Sequence, residues 1–511
     1  MNKIKLYPNQ EKAKEAIANS DKGIICMPTA TGKTFSQADA IADDITKNNG
    51  MFNMYVVNAP RILLTYQLLK EVYAYLSNSN VEARFMFVHS GGTTNESELE
   101  EIRLQANQDG AEIPFAEIPS GTSVNDIRDM MLRAKELNVP LIMFSTYNSA
   151  IRIEEARVML GKQPLRMVMN DEAHYLVQEQ FHDILDTLTM CRCYFFTATM
   201  LHTPSDQGRG MNNENDYGPL LYEMKPIEAI EEGRMVRPKF HFVITDGVYT
   251  PEDFDASLNY VIQSSFEQHE EVLKVNMGAK VLVTVRGTQD IRNFLDSPEY
   301  QIMRQNDVNI YSVASNPEIG CKINGEEVRR QDFLSRIKED GKIRTNKMLV
   351  LHYDILAEGI DSSGFSAIMP LRWLNRSKLL QTLGRASRLD PIDRENIAMG
   401  VIKPSELDRM VKPYAYIIIP DVITSNADSR DHIVNLVREM RTYGFRTSDM
   451  LTNESMGRGL PEVEDPDTLN EQERTIRETG NLITELGYIL EQDDDASLTK
   501  FEFFNKKIES L

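Results

Sequence analysis

The sequence predicts two tandem α/β domains, each built on a parallel sheet, followed by a small, mainly helical C-terminal region. Three observations carry this. Short apolar runs alternate with helical patterns from residue 23 to residue 420, and fully apolar strands spaced by helices are the mark of a sheet covered on both faces. The first run ends in a Gly-containing turn that leads into a helix with Lys33 and Thr34 at its start. At 511 residues, the chain exceeds one ordinary core and suits roughly two or three domains.

In the first domain, taken as residues 1–235, strands are expected at 23–27, 54–58, 84–89, 141–144, 167–170 and 194–196, with helices at 33–46 and 62–76 among the segments between them. A polar stretch at 90–123 reads as an insertion, and the Asn-, Asp- and Gly-rich segment 201–218 as a loop. In the second domain, residues 236–425, strands are expected at 240–244, 280–285, 308–312, 348–352, 367–369 and 415–419. The remainder, 426–511, reads as acidic and helical, with an amphipathic stretch at 432–440 and a linker at 453–467. No repeat of solenoid period is present.

Composition narrows the class. Apolar residues make up 41% and charged residues 26%, ordinary values for a globular protein. No apolar run approaches the roughly 18–20 residues that span a bilayer, and the opening residues lack the apolar middle of a signal peptide. The four cysteines, Cys26, Cys191, Cys193 and Cys321, are too scattered for a disulfide framework or a zinc site. Cys191 and Cys193 read as buried thiols of a reducing compartment. The expectation is a soluble intracellular protein with no membrane partner. Net charge is −21, and 459–511 holds fourteen Asp and Glu against five Lys and Arg. That balance argues against a uniformly basic nucleic-acid binder. It leaves room for a local positive channel, or for a grip through backbone N–H groups and helix N-termini.

Five motifs follow in order. MPTATGKT, from Met27 to Thr34, is a strand–loop–helix turn whose N–H groups converge where a phosphate would sit. Pro28, Thr29, Ala30, Thr31 and Gly32 form the cradle, Lys33 supplies a mobile cation for phosphate oxygens, and Thr34 a hydroxyl for Mg²⁺. Met27 stands where the P-loop pattern has its first glycine. DEAH at 171–174 follows an apolar run, so its carboxylates sit at the ligand-binding end of a parallel strand. Asp171 suits a metal ligand and Glu172 the base that orients the attacking water. Thr197 and Thr199 flank an alanine after the next strand. In the second half, AEGID carries Gly359 and Asp361, and QTLGRASR carries Gln381, Gly384, Arg385 and Arg388. Arg385 and Arg388, three apart, are expected on one helix face as cations for a γ-phosphate.

Taken together these residues resemble superfamily 2 helicases and translocases over roughly residues 7–420. FFTATM, ILAEGIDSSG and the Gln that opens QTLGRASR are similar to phage DNA helicases of the UvsW type and to motor subunits of restriction enzymes. The resemblance implies two RecA-like domains that close on ATP with Mg²⁺, and an ATPase stimulated by nucleic acid, DNA rather than RNA. It implies unwinding or remodelling of branched DNA in replication, recombination or repair. His174, Thr197 and Thr199 would couple nucleotide state to motion. Tyr7 would stack on adenine and Gln10 bond its edge. Arg61, Ser145 and Thr146 would touch the nucleic-acid backbone, with His89 to Gly92 and Thr284 to Gly287 as weaker parts of the same track. Three alternatives stay open: an RNA helicase, a duplex translocase that drives a partner without unwinding, and a nucleotide-switched scaffold. A protein partner would dock on the acidic C-terminal region.

Overall fold

The computed structural model describes residues 6–89, 118–187, 191–203, 208–243, 254–273, 277–314, 319–353, 364–372, 374 and 376–420. The readings on Ser90, Gly91, Gly92, Gly359 and Asp361, most of the 90–123 insertion and the whole acidic C-terminal region lie outside these residues. Packing divides the chain into two compact units, Met1–Lys225 and Pro226–Leu511.

The first unit has seven strands: β1 Lys22–Cys26, β2 Met54–Ala59, β3 Arg84–Val88, β4 Leu141–Thr146, β5 Leu165–Asn170, β6 Arg192–Thr197 and β7 Leu220–Glu223. They lie in the order β3-β4-β2-β5-β6-β1-β7, every pairing parallel. Its main helices are α1 Pro8–Ala18, α2 Lys33–Lys47, α3 Ile62–Asn78, α4 Val124–Glu136 and α5 Ala150–Met159. All six expected strands are present. β7 was not anticipated, because its residues are half-buried or exposed and make no apolar run.

Side chains alternate across a strand, and here each face has its own cover. Met54 and Val56 join Ile127, Met131, Ala150 and Ile153 of α4 and α5 in one core. Tyr55, between them, points to α2, where its hydroxyl donates to Asp44 Oδ2 at 2.9 Å. Arg166 of β5 (2.9 Å through each of two nitrogens) and Arg192 of β6 (3.2 Å) grip the same buried carboxylate. One acidic side chain thus ties α2 to three strands.

The second unit has β8 Arg237–Val243, β9 Lys280–Thr284, β10 Val308–Val313, β11 Cys321–Ile323, β12 Glu326–Glu327, β13 Lys347–His352, β14 Ala367–Pro370 and β15 Tyr414–Pro420. Their order is β12-β11-β10-β13-β9-β14-β15-β8. The six strands from β10 to β8 pair in parallel, and β11 and β12 add an antiparallel hairpin. That hairpin is short and partly exposed, so no apolar run announced it. The helices are α6 Phe254–Val272, α7 Thr288–Leu295, α8 Pro298–Gln305, α9 Arg330–Lys342, α10 Arg376–Ala386 and α11 Pro391–Ala398. Ile262 and Phe266 of α6 and Ile291 and Phe294 of α7 pack on Val281, Val283, Leu349 and Leu351.

The thiols differ from expectation. Cys26 is buried, but Cys191, Cys193 and Cys321 are only half-buried. Cys191 and Cys193 share a face of β6 at its start and line a cavity of about 120 Å³, which is why neither is fully enclosed. Among the described residues, no helix is long and apolar enough to cross a membrane.

Candidate functional site

Parallel pairing brings the motifs of the first unit to one edge of its sheet. Cys26 is in register with Thr197, Asn58 with both Ser145 and Asn170, and Asn170 with Phe195. The loops that follow these positions, carrying MPTATGKT, DEAH, TAT, Arg61 and Ser145-Thr146, therefore leave the sheet along the edge where ligands bind in such folds.

The phosphate loop holds its shape by backbone conformation and short bonds. Ala30 and Gly32 both have positive φ, 69° and 85°. Gly32 is the N-cap of α2, so the free N–H groups of that helix open onto the loop. Thr31 Oγ1 donates to Pro28 O at 2.7 Å, and Lys33 Nζ to Met27 O at 3.2 Å. The lysine thus lies folded back along its own loop and nearly buried, available to exchange a carbonyl for a phosphate oxygen. Helix α1 braces the turn: Asn9 Nδ2 donates to Thr31 O at 3.0 Å, and Gln10 Nε2 reaches Gly32 O at 3.4 Å.

Gln10 and Tyr7 sit differently from the adenine-reading picture. Gln10 is 4% exposed, and its Oε1 accepts the Tyr7 N–H at 2.9 Å. Its amide is occupied in closing the start of α1 onto the loop. Tyr7 is 38% exposed.

DEAH is held by hydrogen-bond partners from three directions. Asp171 N–H donates to Asn58 O at 2.8 Å, and the Tyr147 hydroxyl to Asp171 O at 2.6 Å. Gln37, one turn beyond Lys33 on α2, donates Nε2 to Asp171 Oδ1 at 2.8 Å. Burial, and next the neighbouring Glu172 charge, push the Asp171 carboxyl above the usual carboxylate range, while Lys33 and Gln37 pull it down. Glu172 adopts a left-handed backbone, φ 48° and ψ 47°, a conformation that costs a non-Gly residue roughly 1 kcal/mol and recurs at working sites. The bonds on Asp171 immediately before it hold that turn in place.

His174 links DEAH to TAT. Its Nδ1 lies 3.2 Å from Thr197 Oγ1, and that hydroxyl donates to Thr199 O at 2.8 Å. With the hydroxyl proton committed, the proton between the ring and Thr197 belongs to His174 Nδ1. Glu172 Oε2 is 3.5 Å from the same nitrogen. Burial lowers the His174 pKa, against the raising effect of Glu172, so the ring is neutral near pH 7. The threonine therefore reaches the histidine of the motif.

Residues 3–202 match the family model described as Type III restriction enzyme, res subunit. The match covers less than half of the chain. No curated protein matches it. Among solved structures it is similar to the ATP-dependent Type ISP restriction-modification enzyme LlaBIII bound to DNA, with a TM-score of 0.63 and 16% identity over 95% of this chain and 33% of that one. It is also similar to a nuclease-deletion mutant of the Type ISP enzyme LlaGI in complex with a DNA substrate mimic, with a TM-score of 0.53 and 17% identity over 85% of this chain and 28% of that one. The chain spans about a third of the length of these enzymes. At such identities the likeness is one of fold.

A P-loop that binds a nucleotide takes Mg²⁺ with it, and the residues present fit that ion. Mg²⁺ keeps several waters and needs only one or two carboxylates alongside phosphate oxygens. Asp171, buried and bonded on one oxygen by a neutral amide, and Thr34 at the start of α2 supply that set. Among the described residues no cluster of three or more His, Cys, Asp or Glu forms a self-sufficient metal site.

The nucleic-acid candidates of the first unit divide. Arg61 is exposed at the N-cap of α3. Ser145 and Thr146 are buried, and their hydroxyls donate to Thr146 O at 2.8 Å and Ser149 Oγ at 2.9 Å. His89 is buried against Phe87. In the second unit, Thr284 pairs with His352 at 3.1 Å and Arg286 with Asp290 at 3.0 Å.

Gln381 and Arg385 lie on α10 as expected, but Arg388 does not. The helix stops at Ala386, and Arg388 forms a bridge with Met235. Two bonds of Ser387 accompany this end: its hydroxyl turns back to Leu383 O at 2.9 Å, and its carbonyl accepts the distant Val236 N–H at 2.9 Å. The two arginines are thus presented by different backbone, a helix and a bridge, with no shared helical face.

Sequence reasoning missed Gln37, Asn9 and Tyr147. Gln37 had a readable signal, since it falls one helical turn after Lys33 on the same face. The other two had none.

Proposed function

We propose that the chain is an ATP-driven motor that moves on DNA. Lys33 and the loop N–H groups bind the phosphates, Thr34 and Asp171 hold Mg²⁺, and Glu172 orients and deprotonates the attacking water. Arg385 and Arg388 of the second unit stabilise charge on the transferring phosphoryl group, and His174 with Thr197 passes the state of the site onward. The observation that carries the reading is the placement of Lys33, Asp171 and Glu172 along the sheet edge that also bears Arg61. Two structures of similar fold are of enzymes bound to DNA or to a DNA mimic, which supports DNA over RNA.

The deciding experiment measures ATP hydrolysis alone and with single-stranded, forked and duplex DNA and RNA, with Glu172→Gln as blank. Strong stimulation by one form of DNA is expected, with a strand-displacement assay separating unwinding from translocation. Stimulation by RNA alone overturns the choice of track. Full activity in Glu172→Gln removes that residue as base.

A further inference from the structure

The second unit contains a cavity that the ATP chemistry does not use. It lies at the open edge of the sheet, between β8, the end of α6 and the start of β15, and has a volume of about 200 Å³. Lys239, His241 and Lys412 line it, with an apolar wall that includes Leu273, Tyr414 and Tyr416; the Lys412 ammonium itself turns away to Arg388 O.

The polar group is unusual for its depth. Lys239, His241 and Lys412 are 6%, 2% and 2% exposed. Lys239 and His241 are two apart on β8 and share a face, and the register sets Lys239 opposite Tyr416. Lys239 Nζ sits 4.7 Å from the centre of the Tyr414 ring, a cation–π contact. His241 Nδ1 is buried with no hydrogen-bond partner. A buried polar atom left so is destabilising, and a ligand that pairs with it relieves that.

Lys412 is anchored on both sides. Its backbone N–H donates to Asp393 Oδ2 at 2.8 Å, and its Nζ to Arg388 O at 2.7 Å, a neutral acceptor. The charges facing it are Asp390 and Asp393 against Lys280 and Arg388, and the Asp393 carboxylate already takes the N–H groups of Val411 and Lys412. Burial drives the Lys412 ammonium down to about 7, as expected for a cation short of compensating charge. His241, pushed down to about 4 by burial and then by Lys239, is neutral and can donate one N–H.

We propose that this cavity binds a small amphipathic anion: an oxyanion head held by Lys239 and His241, on a ring-sized body against Leu273, Tyr414 and Tyr416. The size supports the body, since a cavity of roughly 150 Å³ holds a benzene ring. A nucleoside triphosphate does not fit. The head is a phosphate or carboxylate, because a lysine ammonium and an imidazole N–H both donate to such oxygens.

The test is calorimetric titration of the full chain with phenyl phosphate, with inorganic phosphate and benzyl alcohol as the head and body alone. Binding at one site is expected, unchanged in Lys33→Ala, which disables the phosphate loop. Lys239→Met, which removes the cation, and Leu273→Trp, which fills the body pocket, should each weaken it at least about tenfold. Thermal melting checks that both variants fold. Equal affinity in wild type and both folded variants overturns the proposal, as does loss of binding in Lys33→Ala or no binding to wild type. Inorganic phosphate binding as tightly as phenyl phosphate overturns the amphipathic assignment in favour of a free oxyanion.

Discussion

Gln37 donates its side-chain amide to Asp171 across 2.8 Å, and both residues are buried. The bond leaves one oxygen of the carboxylate committed and the other aimed by it. It also joins the helix that carries Lys33 to the strand end that carries the proposed metal ligand. Gln37→Leu should raise the Mg²⁺ concentration for half-maximal ATPase by about tenfold, the worth of one charge-assisted hydrogen bond. A Mg²⁺ titration at saturating ATP reads this directly. An unchanged midpoint would make Gln37 a packing residue.

The loop tolerates no Cβ at Gly32. Its φ is +85°, and an added Cβ would lie 2.1 Å from Gln10 Nε2. Gly32→Ala should cost roughly 1–2 kcal/mol in backbone strain alone, plus the displacement of Gln10. ATP affinity should fall with it. Adding Gln10→Ala removes the clash but not the strain, so the double variant should recover part of the loss and no more. Thermal melts and nucleotide titrations of the three variants separate the two terms.

Asp44 gathers Tyr55, Arg166 and Arg192 around one carboxylate. Asp44→Ala strands the Tyr55 hydroxyl, which is fully buried, and leaves two guanidinium groups without their common anion. A loss of about 2–4 kcal/mol in the stability of the first unit follows. Urea denaturation should show the first unit's transition moving to lower concentration while the second unit's holds.

Two histidines of the second unit make it acid-sensitive. Burial lowers His241 to about 4 and His269 well below its ordinary value. Between about pH 6.5 and 4 the unfolded chain binds protons at these sites and the folded chain does not. Stability is therefore fully present above pH 6.5 and falls as pH drops, by about 1.4 kcal/mol per unit for each imidazole. Replacing His241 by Asn should roughly halve the slope contributed by the pair, measured as unfolding free energy against pH.

The strands of both sheets were legible because parallel strands buried on both faces need unbroken apolar runs, and such runs stand out. Strands such as β7, β11 and β12, half-buried at sheet margins, carry no such run and passed unread. The phosphate loop, DEAH and TAT were legible because each is a contiguous string whose residue types answer one chemical need. Arg388 misled for the opposite reason. Helical spacing after Gln381 was sound as far as Ala386, but the end of α10 is set by Ser387 and by residues 235 and 236, far away in sequence.

The sequence by itself determined which groups come together at one edge of the first sheet: a lysine and a threonine at one helix start, and two carboxylates at one strand end. Local backbone geometry suffices for that, since a parallel strand followed by a helix has only one edge at which to present them. Tertiary structure decided how those groups are held. Gln37 reaches Asp171 across 134 positions of chain, and Asn9 reaches Thr31 across 22. Contacts between distant segments leave no period or spacing in the sequence, because they arise only when sheet register and helix packing bring the two side chains together.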